Sequence, residues 1–157
     1  MKIIYKQGDM FSHEFPKDQV WKVFAHGCNA QGVMGSGVAA QIKKRFPSAY
    51  ERYMEVYKKY GLELGSYVDD WTEDVCVLNM ITQEHYGRDK GTVYVSYDAI
   101  KQCFNDLDYY ASSHMGTDKP EVVMPKIGAG LANGDWSIVE KIVEDTSTNF
   151  QPVVYVL

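Results

Sequence analysis

The chain has 157 residues, 45% of them hydrophobic and 24% charged, which suits one domain with a sizeable core and no repeats or linkers. Its net charge of −5 excludes general affinity for nucleic-acid backbones, although a local anion site needs no global positive charge. No apolar run approaches the ~20 residues of a membrane span, MKIIYKQGDM lacks a signal-peptide core, and the odd cysteine count (Cys28, Cys76, Cys103) points to reduced thiols, so a cytoplasmic protein is expected.

Lys2 to Gln7 reads as a first strand, closed by Gly8-Asp9-Met10. Asp9 is placed to accept from an exocyclic amine at a strand end, or to form a plain Asx turn. Phe11 to Lys17 reads as a connecting loop, with His13 at the surface. The central stretch is VWKVFAHGCNAQGVMGSGVAAQIKKRFP, Val20 to Pro47. It predicts a buried strand, a turn carrying Gly27, Gly32, Gly35 and Gly37, and a helix through Val38, Ala39, Ile42 and Phe46. Such a turn offers unpaired N–H groups at a helix N-terminus, where the dipole also favours an anion. It matches neither common phosphate motif: Ala40 occupies the third glycine of GxGxxG, and GxxxxGK[ST] is absent. His26, Asn29 and Gln31 stand where binding residues collect in α/β folds. They either meet a ligand, with the Asn29 amide suited to vicinal sugar hydroxyls, or satisfy a tight turn.

Pro47 opens a second helix, with Tyr50, Tyr53, Met54 and Tyr57 as a core stripe and Gly61 as its stop. Leu64 to Trp71 and Val75 to Ile81 read as strands, the second apolar on both faces. The polar loop Thr82 to Asp89 follows, carrying His85, Tyr86 and Arg88. Arg88 suits a phosphate in bidentate fashion, and a solvated loop is the alternative. Ser96 to His114 is a third helix, capped by Ser96. Val122 to Pro125 is a short strand, followed by a second glycine-rich turn, Lys126 to Trp136. Asp135 caps a fourth helix through Ile138, Val139, Ile142 and Val143, and Gln151 to Leu157 is a closing strand. Alternating strands and helices predict a three-layer α/β/α sandwich with a mixed, mostly parallel sheet and both glycine turns along one rim. Two cradles on one rim suit a diphosphate flanked by two sugars. CxxC and HExxH patterns are absent, so neither metal nor cofactor is expected.

The GD pair after the first strand, HxCNxxGxxGxGxA leading to FP, and MPxIGxGLxxxxW together resemble the macro domain family over essentially the whole chain, 1–157. The resemblance is strongest to the branch of the fungal ADP-ribose 1''-phosphate phosphatase and the ADP-ribosyl-glutamate hydrolases, and it extends to small phage-encoded macro domains. It implies that Asp9, with the Met10 backbone, holds adenine, and that Asn29 lies at the distal ribose. Gly35, Ser36, Gly37 and Val38 match the first diphosphate loop, and Ile127, Gly128, Ala129, Gly130 and Leu131 the second. His26 matches a histidine of the phosphatase branch. The lysine of the glutamate-ester hydrolases falls on Gln83, and their aspartate after the second loop on Ala132. An amide cannot replace a lysine that forms a covalent sugar adduct. The expected activity is therefore phosphatase action on ADP-ribose 1''-phosphate, with His26 as general acid or base, Asn29 as orienting group and His85 as secondary candidate. A non-catalytic ADP-ribose reader, or a hydrolase acting on ADP-ribosylated protein or nucleic acid, is the alternative. The expected partners are ADP-ribose or its 1''-phosphate, with the protein a monomer.

Overall fold

The computed structural model describes all residues, 1–157. Its six strands are β1 (Ile4–Gln7), β2 (Lys22–Asn29), β3 (Tyr67–Thr72), β4 (Val75–Gln83), β5 (Glu121–Met124) and β6 (Gln151–Val156). They form one sheet in the order β1-β6-β5-β2-β4-β3. All neighbours pair in parallel except β3, which returns antiparallel on β4 as an edge hairpin. The helices are α1 (Gly37–Arg45), α2 (Pro47–Tyr60), α3 (Tyr97–His114) and α4 (Trp136–Thr146). The sandwich and its mixed, mostly parallel sheet are as expected.

Side-chain alternation explains the three layers. Val23 and Ala25 of β2 join Cys76, Leu78 and Met80 of β4 in the core beneath α3 and α4. Phe24 and Val77 point to the opposite face, among the clusters beneath α1 and α2. Phe104 and Leu107 of α3 are completely buried, and burial at this level stabilises by ~1.5–3 kcal/mol per large apolar side chain. Helix ends follow local chemistry. Ser96 accepts from the Ala99 N–H at 3.1 Å, and Asp135 accepts from the Ser137 N–H at 2.9 Å. Pro47 opens α2 directly after α1, and Gly61, at φ 78°, ends it.

Some boundaries differ from expectation. The strand expected from Leu64 starts at Tyr67, because Gly65 takes φ 91° and Ser66 closes a turn onto Glu63. The first strand starts at Ile4, where pairing with β6 begins, since the Met1 amine is drawn to the end of α4. The central strand starts at Lys22, leaving Val20 exposed. Met10–Ser12 is a 3-10 turn within the expected loop. His13 is not a surface residue: its ring is buried between Tyr155 Oη at 2.7 Å and Glu121 Oε1 at 2.8 Å. The loop folds back on β5 and β6, so a polar ring placed there must find polar partners.

Candidate functional site

Parallel strands deliver the carboxyl ends of β5, β2 and β4 side by side, and their loops enclose a cavity of about 590 Å³. That volume lies in the ordinary range for a small-molecule site. Gly27 forms part of its floor. A Cβ there would meet Thr82 Oγ1 at 2.8 Å and Ile127 Cγ2 at 3.3 Å, so only glycine lets the three strand ends approach so closely. The register shifts between Cys28 and Asn29, where β4 carries the extra residue Thr82, just before the first glycine loop begins.

The two glycine loops face each other across this cavity. Gly35, Ser36, Gly37 and Val38 all line it. Ser36 begins α1 without a side-chain cap, and Gly37 takes φ 61°. The N–H groups of Gly35 through Ala39 find no acceptor within the protein, as the first turn of a helix dictates. In the second loop the N–H groups of Gly128, Gly130 and Leu131 are likewise unpaired and line the cavity. Those of Ile127 and Ala129 are spent inside the turn, on Pro125 O at 2.8 Å and Lys126 O at 3.2 Å. Ala129 lies outside the lining. The loop therefore leaves the Gly128, Gly130 and Leu131 amides free and uses those of Ile127 and Ala129 to hold its own shape. Gly128 takes φ 79° and its carbonyl accepts from the Gly134 N–H at 2.6 Å, which curls the loop back on itself.

Asn29 is fastened by its turn. Its Oδ1 accepts from the N–H of Gln31 at 3.0 Å and of Val33 at 3.4 Å, while Nδ2 donates to Val33 O at 2.8 Å. The Tyr53 hydroxyl, buried on α2, donates to Asn29 O at 2.6 Å and lies 3.2 Å from Oδ1. Helical periodicity marks Tyr53 as packing and carries no signal for this brace.

His26 lines the cavity, and its ring is turned into the core. Its ring is 1% exposed on the α2 side of β2, and Nε2 lies 2.6 Å from Asn79 Oδ1. Asn79 in turn donates to Ala49 O and Val68 O, locking the pair into the core. Desolvation lowers the His26 pKa to about 4, so the ring is neutral at physiological pH. Cys28 Sγ sits 3.6 Å from the same ring, and burial raises its thiol well above the ordinary value. A neutral, enclosed imidazole is poorly suited to the general acid–base role expected of it.

The remaining expected residues lie apart from the lining. Asp9 accepts from Phe11 N at 3.0 Å and Ser12 Oγ at 3.2 Å, which is the Asx turn, with Arg45 at 3.8 Å. Met10 is buried in the cluster that also contacts Val38, so this pair stands behind the rim at the β1 side. His85 is exposed on the loop after β4, outside the lining. Thr82, Tyr86, Arg88 and Lys126 do line the cavity. No three His, Cys, Asp or Glu side chains cluster as metal ligands.

Comparison with known proteins agrees with this architecture. The Macro domain profile matches residues 25–143. An ADP-ribose 1''-phosphate phosphatase of Scheffersomyces stipitis is 47% identical, with 99% of each chain covered. An uncharacterised 17.5 kDa protein of Enterobacteria phage T4 is 33% identical over 85% of this chain and 84% of its own. A macrodomain protein from Streptomyces coelicolor superposes with a TM-score of 0.77 at 27% identity, 99% of each chain covered. The chain belongs to the macro domain family.

Proposed function

We propose that this macro domain binds ADP-ribose and hydrolyses ADP-ribose 1''-phosphate to ADP-ribose and inorganic phosphate. The observation that carries the reading is the convergence of unpaired amides from two loops on one cavity. Fixed N–H donors of this kind hold a pyrophosphate without reorganising. The likeness to several yeast proteins named ADP-ribose 1''-phosphate phosphatase supports the choice of substrate. With the pyrophosphate on the loops, adenine extends toward Asp9 and Met10 on the β1 side. The distal ribose extends toward Asn29 and the loop after β4. His26 and Tyr53 act as positioning residues, holding the end of β2 and the Asn29 turn. Three buried, unpaired thiols favour a reducing compartment such as the cytoplasm, and the protein works there as a monomer.

A second reading, an ADP-ribose reader without turnover, is favoured by one specific observation. The lining offers no lysine at the end of β4, where Gln83 stands and donates to the His85 carbonyl at 2.7 Å. Calorimetry with ADP-ribose, run beside a phosphate-release assay on ADP-ribose 1''-phosphate, separates the two. Binding with release is the expected result. Binding without release selects the reader, and no binding at all removes both.

A further inference from the structure

Two strongly basic side chains line the cavity, Lys126 and Arg88, and they follow strands on opposite sides of β2. Lys126 follows β5 and places Nζ over the Trp136 ring, 6.0 Å from its centre. Trp136 Nε1 donates to Tyr5 Oη at 2.9 Å, and Tyr5 belongs to β1, so this charge leans toward the β1 side. Arg88 follows β4, on the far side of β2. It makes no ion pair with any acidic side chain. The neighbouring Asp89 turns to its own loop instead, where Oδ1 accepts from Gly91 N at 2.9 Å and Oδ2 from Thr92 Oγ1 at 3.1 Å.

The loop that carries Arg88 is tied to the second glycine loop. Asn133 Nδ2 donates to Asp89 O at 2.9 Å and to Thr92 O at 2.8 Å. The Tyr94 N–H donates to Ala132 O at 2.9 Å, and Tyr94 Oη accepts from Asp89 N at 3.1 Å. Gly87 lies against the Tyr94 hydroxyl, which a Cβ at that position would displace. The segment is thus a braced arm, and the backbone that carries Arg88 is tied to the loop whose amides are proposed for the pyrophosphate.

We infer that Arg88 is a specificity-determining residue that recognises a phosphate monoester on the distal ribose and sets the preference for ADP-ribose 1''-phosphate over ADP-ribose. The inference rests on the proposed ligand orientation. A guanidinium fork matches the oxygens of a monoester carrying nearly two negative charges, and plain ADP-ribose has no such group at that end. The net charge of −5 makes this local cation matter more, because the surrounding field repels a highly charged anion.

The test measures affinities for ADP-ribose and for a non-hydrolysable phosphonate analogue of ADP-ribose 1''-phosphate, in wild type, Arg88→Ala and Arg88→Lys. Arg88→Ala is expected to shift the ratio of the two affinities by about 10- to 100-fold against the phosphonate. Arg88→Lys, which keeps the charge and loses the fork, is expected to fall between. An unchanged ratio overturns the inference, as does a wild type that fails to bind the phosphonate. If the ratio shifts while wild type releases no phosphate from the natural ester, the specificity inference stands and the phosphatase reading falls. If release proceeds and the ratio does not move, the inference alone falls.

Discussion

Protonation of His26 should govern how this fold responds to mild acid. The ring is enclosed between β2 and α2 with Asn79 as its partner, and desolvation lowers its pKa from 6.5 to about 4. The unfolded chain takes up the proton below pH 6.5, whereas the folded chain refuses it until near pH 4. Stability from this residue is therefore fully present above pH 6.5 and is lost as pH falls from 6.5 toward 4. At ~1.4 kcal/mol per pH unit the gap totals about 3 kcal/mol, of which about 2 kcal/mol falls between pH 7 and pH 5. Urea unfolding at pH 7, 6 and 5, in wild type and His26→Gln, isolates this share because other groups titrate alike in both. The variant keeps an amide donor for Asn79 and cannot titrate, so its stability should fall less by about 2 kcal/mol over that range. Parallel pH profiles for the two proteins would refute the reasoning. So would an inflection in kcat/KM near pH 6.5 that vanishes in His26→Gln, since a ring desolvated to this degree does not titrate there.

Three further substitutions probe the site. Tyr53→Phe strips a buried donor from Asn29 O and Oδ1, and should cost about 1–3 kcal/mol in urea unfolding and weaken ADP-ribose binding by calorimetry. Gly128→Ala forces a side chain into φ 79°, with its methyl 2.9 Å from Val95 Cγ2. It should lower stability by about 1–3 kcal/mol and reduce ADP-ribose affinity, and a variant as stable and as tightly binding as wild type would contradict the loop geometry. Asp135→Ala removes the cap on Ser137 N and should cost about 1 kcal/mol in thermal unfolding while phosphate release stays at the wild-type rate. A collapse of release would assign Asp135 a chemical role.

Local signals marked much of the fold. Proline at the head of α2, glycine at its end, and caps at Ser96 and Asp135 act within a few residues of where they stand, so the pattern alone locates those helices. Both glycine loops were equally legible, because a run of glycines between an apolar strand and an apolar-faced helix has few other uses. Side-chain fates were less so. A histidine carries the same letter whether it faces a ligand or an asparagine in the core, and His13 and His26 are both enclosed by residues more than 50 positions away.

By itself, then, the sequence determined the order of strands and helices, the placement of two glycine-rich turns and the family to which the chain belongs. Only the tertiary structure decided which amides remain unpaired, that His26 is neutral and that Arg88 stands unpaired on a braced arm beside the cavity. The physical reason is range. Periodicity and caps are written in neighbouring residues, whereas desolvation and free hydrogen-bonding groups depend on which distant strands the sheet brings side by side.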